Sequence, residues 1–336
     1  MDATYRLIAP QPDELGVLTS CAAVVQRARH LRLDAGAVER FAQGQEPQPP
    51  PAPAEDQLHC RWLPPRRLLN YLLALEALNF CFWDDEPRWR VLHGNARLDG
   101  YWALAAALQR AIREEALPVW DAHYLAELDE ARVAHLLRGE GRPPPLLAQR
   151  AAHLREAGQV LLSRWGGQMA NLVQAAHGEA LALVQLVVGE FPSFRDEAPA
   201  PEGATISTVR FYKRAQILAA DLARLLPGEP LGRLRGLERL TAFADYKLPQ
   251  VLRGGGILVY GPELARRVDA RQELPAGSPE EVEIRAGTVW ACEWLAGALS
   301  QRFGRPVPPA EVDWRLWLAG QRPGLQPYHR TRTLFY

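Results

Sequence analysis

The chain has 336 residues, 48% of them hydrophobic, enough to bury one large core or two modest ones. Its 39 basic and 39 acidic residues cancel, so it lacks the broad basic footprint of a duplex-binding protein, although a small anionic ligand needs only a local basic cluster. No apolar run approaches the roughly 20 residues of a membrane span, and the start Met1-Asp2-Ala3-Thr4-Tyr5-Arg6 has no basic-then-apolar pattern of a signal peptide.

The stretch Pro47 to Pro53 reads as a stiff extended segment that sets residues 1–54 apart from a helical remainder, 55–336. Apolar spacing predicts a buried helix over 65–80, an irregular aromatic stretch over 82–87, and a small hairpin over 88–98 turning at Gly94-Asn95. Helices are expected over 101–115, 121–137 and 146–164, the last closed by Gly166-Gly167, and then over 169–189, 206–226, 234–252 and 257–271. Ser278-Pro279-Glu280-Glu281 is a strong helix start. Serine caps, proline fits the first turn, and Glu281 completes a capping box. That helix runs to about 302, another spans roughly 310–320, and the tail 327–336 is extended. The expected fold is all-α with a minor β-hairpin. Residues 55–336 form a single helical unit, or two lobes with the site between them.

Lysine occurs only twice, at Lys213 and Lys247, in a chain whose surface cations are otherwise arginine. Where lysine persists, a compact point charge serves better than a planar fork. Lys247 lies in Phe243-Ala244-Asp245-Tyr246-Lys247-Leu248-Pro249. Pro249 disfavours a straight helix through Lys247-Leu248, so Asp245 falls near a helix start, in an apolar setting where its ionisation matters. The simpler reading is that Asp245 caps the helix beginning near Lys247. Phe211-Tyr212-Lys213-Arg214 sets two cations on a partly apolar helix, facing a phosphate or a carboxylate partner. Phe191-Pro192-Ser193-Phe194-Arg195-Asp196 is a defined turn, and Asp196 caps or binds.

Rings concentrate at Phe80, Phe82 and Trp83, as base-stacking surfaces or as core. His59 precedes them, able to donate to a phosphate or a ring, though a lone histidine is more simply structural. Asp313 and Trp317 share a helical face, suited to a planar cationic ligand or to a surface ion pair. Glu281 and Arg285 form an i,i+4 pair. His329 in the tail reaches an anion or pins the terminus. Cys21, Cys60, Cys81 and Cys292 show no metal-type spacing, so reduced thiols and a cytoplasmic setting are expected. No P-loop, G-x-S-x-G, H-E-x-x-H or dinucleotide fingerprint is present.

Several of these motifs, in this order, carry a resemblance. Asn79-Phe-Cys-Phe-Trp83, Gly100-Tyr-Trp-Ala-Leu104, Phe191-Pro-Ser-Phe-Arg-Asp196, Phe211-Tyr-Lys-Arg-Ala-Gln-Ile-Leu218, Phe243-Ala-Asp-Tyr-Lys-Leu-Pro-Gln250, Glu281-Val-Glu-Ile-Arg285 and Pro327-Tyr-His-Arg330 together resemble the queuosine salvage protein family over roughly 55–336. The resemblance implies a DNA glycosylase-like helix-hairpin-helix architecture without a duplex substrate. It implies hydrolysis of the N-glycosidic bond of queuosine 5′-monophosphate to queuine and ribose 5-phosphate, without metal or cofactor. By that analogy Asp245 is catalytic. Phe80, Phe82, Trp83 and Trp317 would sandwich the base. Lys213, Arg214, Lys247 and His329 would take the phosphate, and Asp313, Asp84 or Asp196 the amine of the base's side arm. His59, Tyr212 and Phe243 complete the expected substrate contacts. The competing readings are a base-excision glycosylase using a lysine Schiff base, and a non-catalytic carrier of modified nucleosides.

Overall fold

The computed structural model describes residues 5–49 and 58–336. Among these, fourteen α-helices alternate with three two-stranded antiparallel ladders. The protein is mainly helical, as its periodicity predicts. It divides into two compact units.

The first unit is built from described residues of Met1–Pro51, Asp196–Lys213 and Glu238–Arg332. Its axis is the helix Pro279–Phe303. Ser278 Oγ accepts from the Glu281 N–H, and Glu281 accepts in return from the Gly277 N–H at 3.0 Å, so the expected cap forms one residue early on its return bond. Gly304, at φ 63°, ends the helix, as left-handed glycine does. Most of this helix is buried, and Ile284, Ala291, Leu295 and Leu299 anchor a core shared with Leu31, Leu248, Leu258 and Leu316. Each such aliphatic side chain contributes about 1.5–3 kcal/mol by leaving water. The strands Leu31–Leu33 and Leu258–Tyr260 pair across this helix. They fit because Gly287 has no side chain: a Cβ there would sit 3.1 Å from Leu258 and 3.2 Å from Leu31. Arg305 and Arg315 hold the carbonyls of Glu46, Pro47 and Gln48. The Pro-rich stretch lies outside the described residues from Pro50 on.

The second unit takes described residues of Ala52–Arg195, Arg214–Leu237 and Thr333–Tyr336. The helices Pro65–Ala77, Gly100–Arg113 and Leu147–Arg164 carry its core. The hairpin pairs Val91–His93 with Ala96–Leu98 around Gly94-Asn95, as expected. Arg150 is fully buried and spends its guanidinium on the carbonyls of Leu78, Phe80, Cys81 and Pro145, at 2.6–2.9 Å. These lie in irregular backbone just after a helix and just before another, where carbonyls have no helical partner. Gly158 lets the helix Leu147–Arg164 meet Ala122–Ala126 closely; a Cβ would stand 2.4 Å from the Ala126 nitrogen.

Five expected helices are shorter or broken, among them 257–271, whose start pairs as the strand Leu258–Tyr260 before Gly261 and Pro262 open the helix Pro262–Asp269. The 121–137 helix divides into Ala122–Ala126 and Glu130–Leu136, because Asp129 turns its side chain onto the Arg132 N–H and restarts the helix. The 169–189 helix breaks at His177 and Gly178, both at positive φ. Residues 206–226 begin as the strand Thr208–Arg210 before the helix Lys213–Leu225. The 234–252 helix contracts to Lys247–Gly254, with Pro249 in the first turn, where its missing N–H is not needed. Among the described residues no helix is long and apolar enough to cross a membrane.

Candidate active site

The helix Lys247–Gly254 starts where it does because Asp245 stops the chain before it. Asp245 Oδ1 accepts from the Lys247 N–H at 2.7 Å and the Leu248 N–H at 2.9 Å. This is the capping role foreseen in the sequence, and it places a carboxylate at the positive end of a helix. The same carboxylate is only 7% exposed. Burial pushes its pKa above the usual range, while the Lys213 ammonium, the two backbone donors and Lys247 pull it back down.

Asp313 lies on the buried face of the helix Pro309–Ala319 and accepts from the Phe243 N–H at 2.7 Å. The segment 243–248 therefore lends main-chain donors to both acids. Burial drives the Asp313 pKa well up, and the Asp245 charge drives it further; the Phe243 N–H and Lys213 oppose this. Two neighbouring carboxyls cannot both ionise cheaply. Asp245, with two backbone donors and two lysines, is the better placed of the two to carry the charge, and Asp313 is the more readily protonated. Cys292 is buried beside them, and burial above all pushes its thiol pKa well up.

Lys213, 6% exposed, opens the helix Lys213–Leu225 and is the cation felt by both acids. Replacing Lys213 by Met is expected to move the acid limb of any Asp245-dependent rate to higher pH by about one unit or more, because the charge that favours the carboxylate is gone. A pH–rate profile of the variant checks this; an unmoved limb would sever the link.

Other first-unit residues named in the sequence have definite partners. Lys247 Nζ donates to the Gly320 carbonyl at 2.9 Å and lies 5.5 Å from the Tyr328 ring centre. Asp196 binds the Arg285 guanidinium through both oxygens. Tyr212 donates to Glu197 at 2.5 Å. Trp317 stacks on Trp314 at 5.2 Å. His329 is buried, and burial with the nearby Arg285 lowers its pKa to about 3, so at neutral pH it is an uncharged imidazole.

In the second unit, Arg214 donates to the carbonyls of Glu76, Ala77 and Ser193, closing the end of the helix Pro65–Ala77. Phe80 is fully buried, with the Arg150 guanidinium 4.3 Å and the Arg214 guanidinium 5.3 Å from its centre. Phe82 stacks on Trp89 at 6.4 Å, and Trp83 is 2% exposed. His59 is 1% exposed; burial and Arg61 lower its pKa to about 4, its Nε2 lies 3.4 Å from the Tyr101 hydroxyl, and its Nδ1 has no partner.

Sequence reasoning passed over three groups. Arg285 entered only as the helical partner of Glu281. Gln250, one residue after Pro249, donates to the Gln326 carbonyl at 2.6 Å and leaves its Oε1 buried without a partner. Burial and Asp13 push Glu293 up to about 7. No local pattern marks any of them. Among the described residues no cluster of His, Cys, Asp or Glu has an arrangement that could hold a metal ion.

A helical protein with a buried carboxyl pair near an ammonium has groups suited to acid–base chemistry. The profile described as "Queuosine salvage protein" matches residues 59–336, and the chain belongs to that family. It is 49% identical over 333 residues to a Sphaerobacter thermophilus protein named queuosine 5′-phosphate N-glycosylase/hydrolase, covering 98% of this chain and 100% of that one. A Mus musculus protein of the same name is 36% identical over 281 residues, covering 80% of this chain and 82% of the relative. The Schizosaccharomyces pombe protein so named is 26% identical over 307 residues, with 80% and 83% covered.

Proposed function

We propose that this protein hydrolyses the N-glycosidic bond of queuosine 5′-monophosphate, releasing queuine and ribose 5-phosphate. The observation that carries the reading is the buried Asp245–Asp313 pair, held by the backbone donors of 243–248 with Lys213 as the cation acting on both. The common name of the relatives supplies the substrate.

Breaking the bond leaves positive charge on the ribose. The Asp245 carboxylate stabilises that charge and orients the water that adds to the anomeric carbon. The departing base is a 7-deazaguanine and has no N7 to accept a proton, so its negative charge must be met elsewhere on the ring. Asp313, whose carboxyl keeps its proton more readily than an ordinary one because of burial and the Asp245 charge, is the donor we assign to that task. The raised pKa favours this role over the amine-binding role expected from sequence. Lys213 tunes both acids and is the first-unit cation we assign to the phosphate. A relation to helix-hairpin-helix glycosylases fits a catalytic aspartate just ahead of a short helix. Four free, buried cysteines agree with a reducing cytoplasmic setting.

The test is incubation of the protein with queuosine 5′-monophosphate, without added metal, following free queuine by chromatography and mass spectrometry. Stoichiometric queuine and ribose 5-phosphate are expected. A folded protein that binds the nucleotide and leaves it intact would overturn the reading in favour of a carrier.

A further inference from the structure

Arg285 and Asp196 take no part in the chemistry above, yet both are almost solvent-free, at 2% and 1% exposure. The guanidinium grips the carboxylate at 2.8 and 2.6 Å, and the Phe211 ring lies 3.8 Å over it. Its Nε reaches the Ala244 carbonyl at 3.2 Å, one residue before Asp245. Asp196 in turn gathers three successive backbone donors. Its main-chain oxygen accepts from Phe211 at 3.0 Å and Tyr212 at 3.3 Å, and its Oδ2 accepts from Lys213 at 3.3 Å. They converge because Tyr212 adopts φ 51°, a left-handed backbone that a bulky residue keeps only when its surroundings enforce it.

We infer that the Arg285–Asp196 pair is a positioning brace for the reaction. One ion pair fixes the backbone ahead of Asp245 and the strained turn ahead of Lys213, and so sets the spacing between carboxylate and ammonium. A buried ion pair is a poor source of stability, because both charges give up water to form it, whereas its rigid two-pronged geometry suits register. Asp196 thus acts through Lys213 instead of touching a ligand. The proposal rests on the reading of Asp245 as the catalytic carboxylate.

The test compares Asp245→Asn, Arg285→Lys, and the apolar pair Arg285→Met with Asp196→Leu, measuring thermal midpoint, kcat, KM and the pH profile of kcat on queuosine 5′-monophosphate. Arg285→Lys keeps the charge and loses the fork. Its kcat should fall on the order of 100-fold with KM within about threefold, as displacement of a reacting group does. Its acid limb should rise as the Lys213 ammonium drifts from Asp245. The apolar pair removes both charges of this ion pair and leaves Glu281, 3.8 Å from the Arg285 Nε, on the Gly277 N–H; it should fold and still turn over slowly. Should Arg285→Lys not fold, the apolar pair decides alone. A kcat within about threefold of wild type and an unmoved limb in either folded variant, with Asp245→Asn inactive, would make the brace merely structural and overturn the proposal. Full turnover by Asp245→Asn would instead sink the catalytic reading, and the brace with it.

Discussion

Asp245→Asn should fold with an unchanged thermal midpoint and lose at least about 100-fold in turnover of queuosine 5′-monophosphate. The residue has two functions, and this substitution separates them. As a cap, Asp245 accepts from the Lys247 and Leu248 N–H groups, and the asparagine carbonyl accepts as well as a carboxylate oxygen. As an anion facing a developing oxocarbenium ion it has no neutral substitute. Asp245→Ala would lose both functions and about 1 kcal/mol of helix stability besides. Queuine release, read by mass spectrometry against a circular-dichroism melt, checks the prediction. If the asparagine variant turns over at the wild-type rate, Asp245 is only a cap.

Asp313→Asn should stabilise the protein by an amount that grows with pH. The folded-state pKa of Asp313 is raised well above its ordinary 3.8 by burial and by the Asp245 charge. Between those two values the folded state binds a proton that the unfolded state has released. The contribution of Asp313 is therefore fully present below about 3.8 and is lost as pH rises toward its folded-state pKa, at up to about 1.4 kcal/mol per pH unit. Asparagine does not titrate, and its carbonyl still accepts from the Phe243 N–H. Denaturant unfolding of both proteins at pH 5 and pH 8 measures the divergence. Glu293, which titrates near 7, is common to both and cancels. Turnover should move the opposite way. The amide cannot release a proton to the departing base, so kcat should fall and its alkaline limb vanish. A stability difference independent of pH would mean that Asp313 is ionised in the fold. Such a trade between stability and activity is ordinary at a site holding desolvated acids.

Local chemistry made part of this protein legible in its sequence. Ser278 and Glu281 announced the long central helix, Gly94-Asn95 the hairpin, and Asp245 followed by Pro249 a helix start with a carboxylate in front of it. Each of these depends on residues within one turn of each other, where caps, fixed φ and missing donors act directly. The same short range explains the overlong helices over 169–189 and 234–252. Apolar periodicity continued through His177-Gly178 and through 240–246, while the backbone obeyed a left-handed turn and a capping carboxylate instead. What only the tertiary structure decided is charge. Asp196 and Arg285 are 89 residues apart, and nothing local says they are partners. Arg214 read in the sequence as a cation facing a phosphate or a carboxylate, and the fold places it on the main-chain carbonyls of Glu76, Ala77 and Ser193. His329, which in water would take up a proton near pH 6.5, stays a neutral imidazole down to about pH 3 in this core. Asp245 and Asp313 are equivalent as letters; their proton affinities differ because burial and neighbours drawn from distant segments set the cost of each charge.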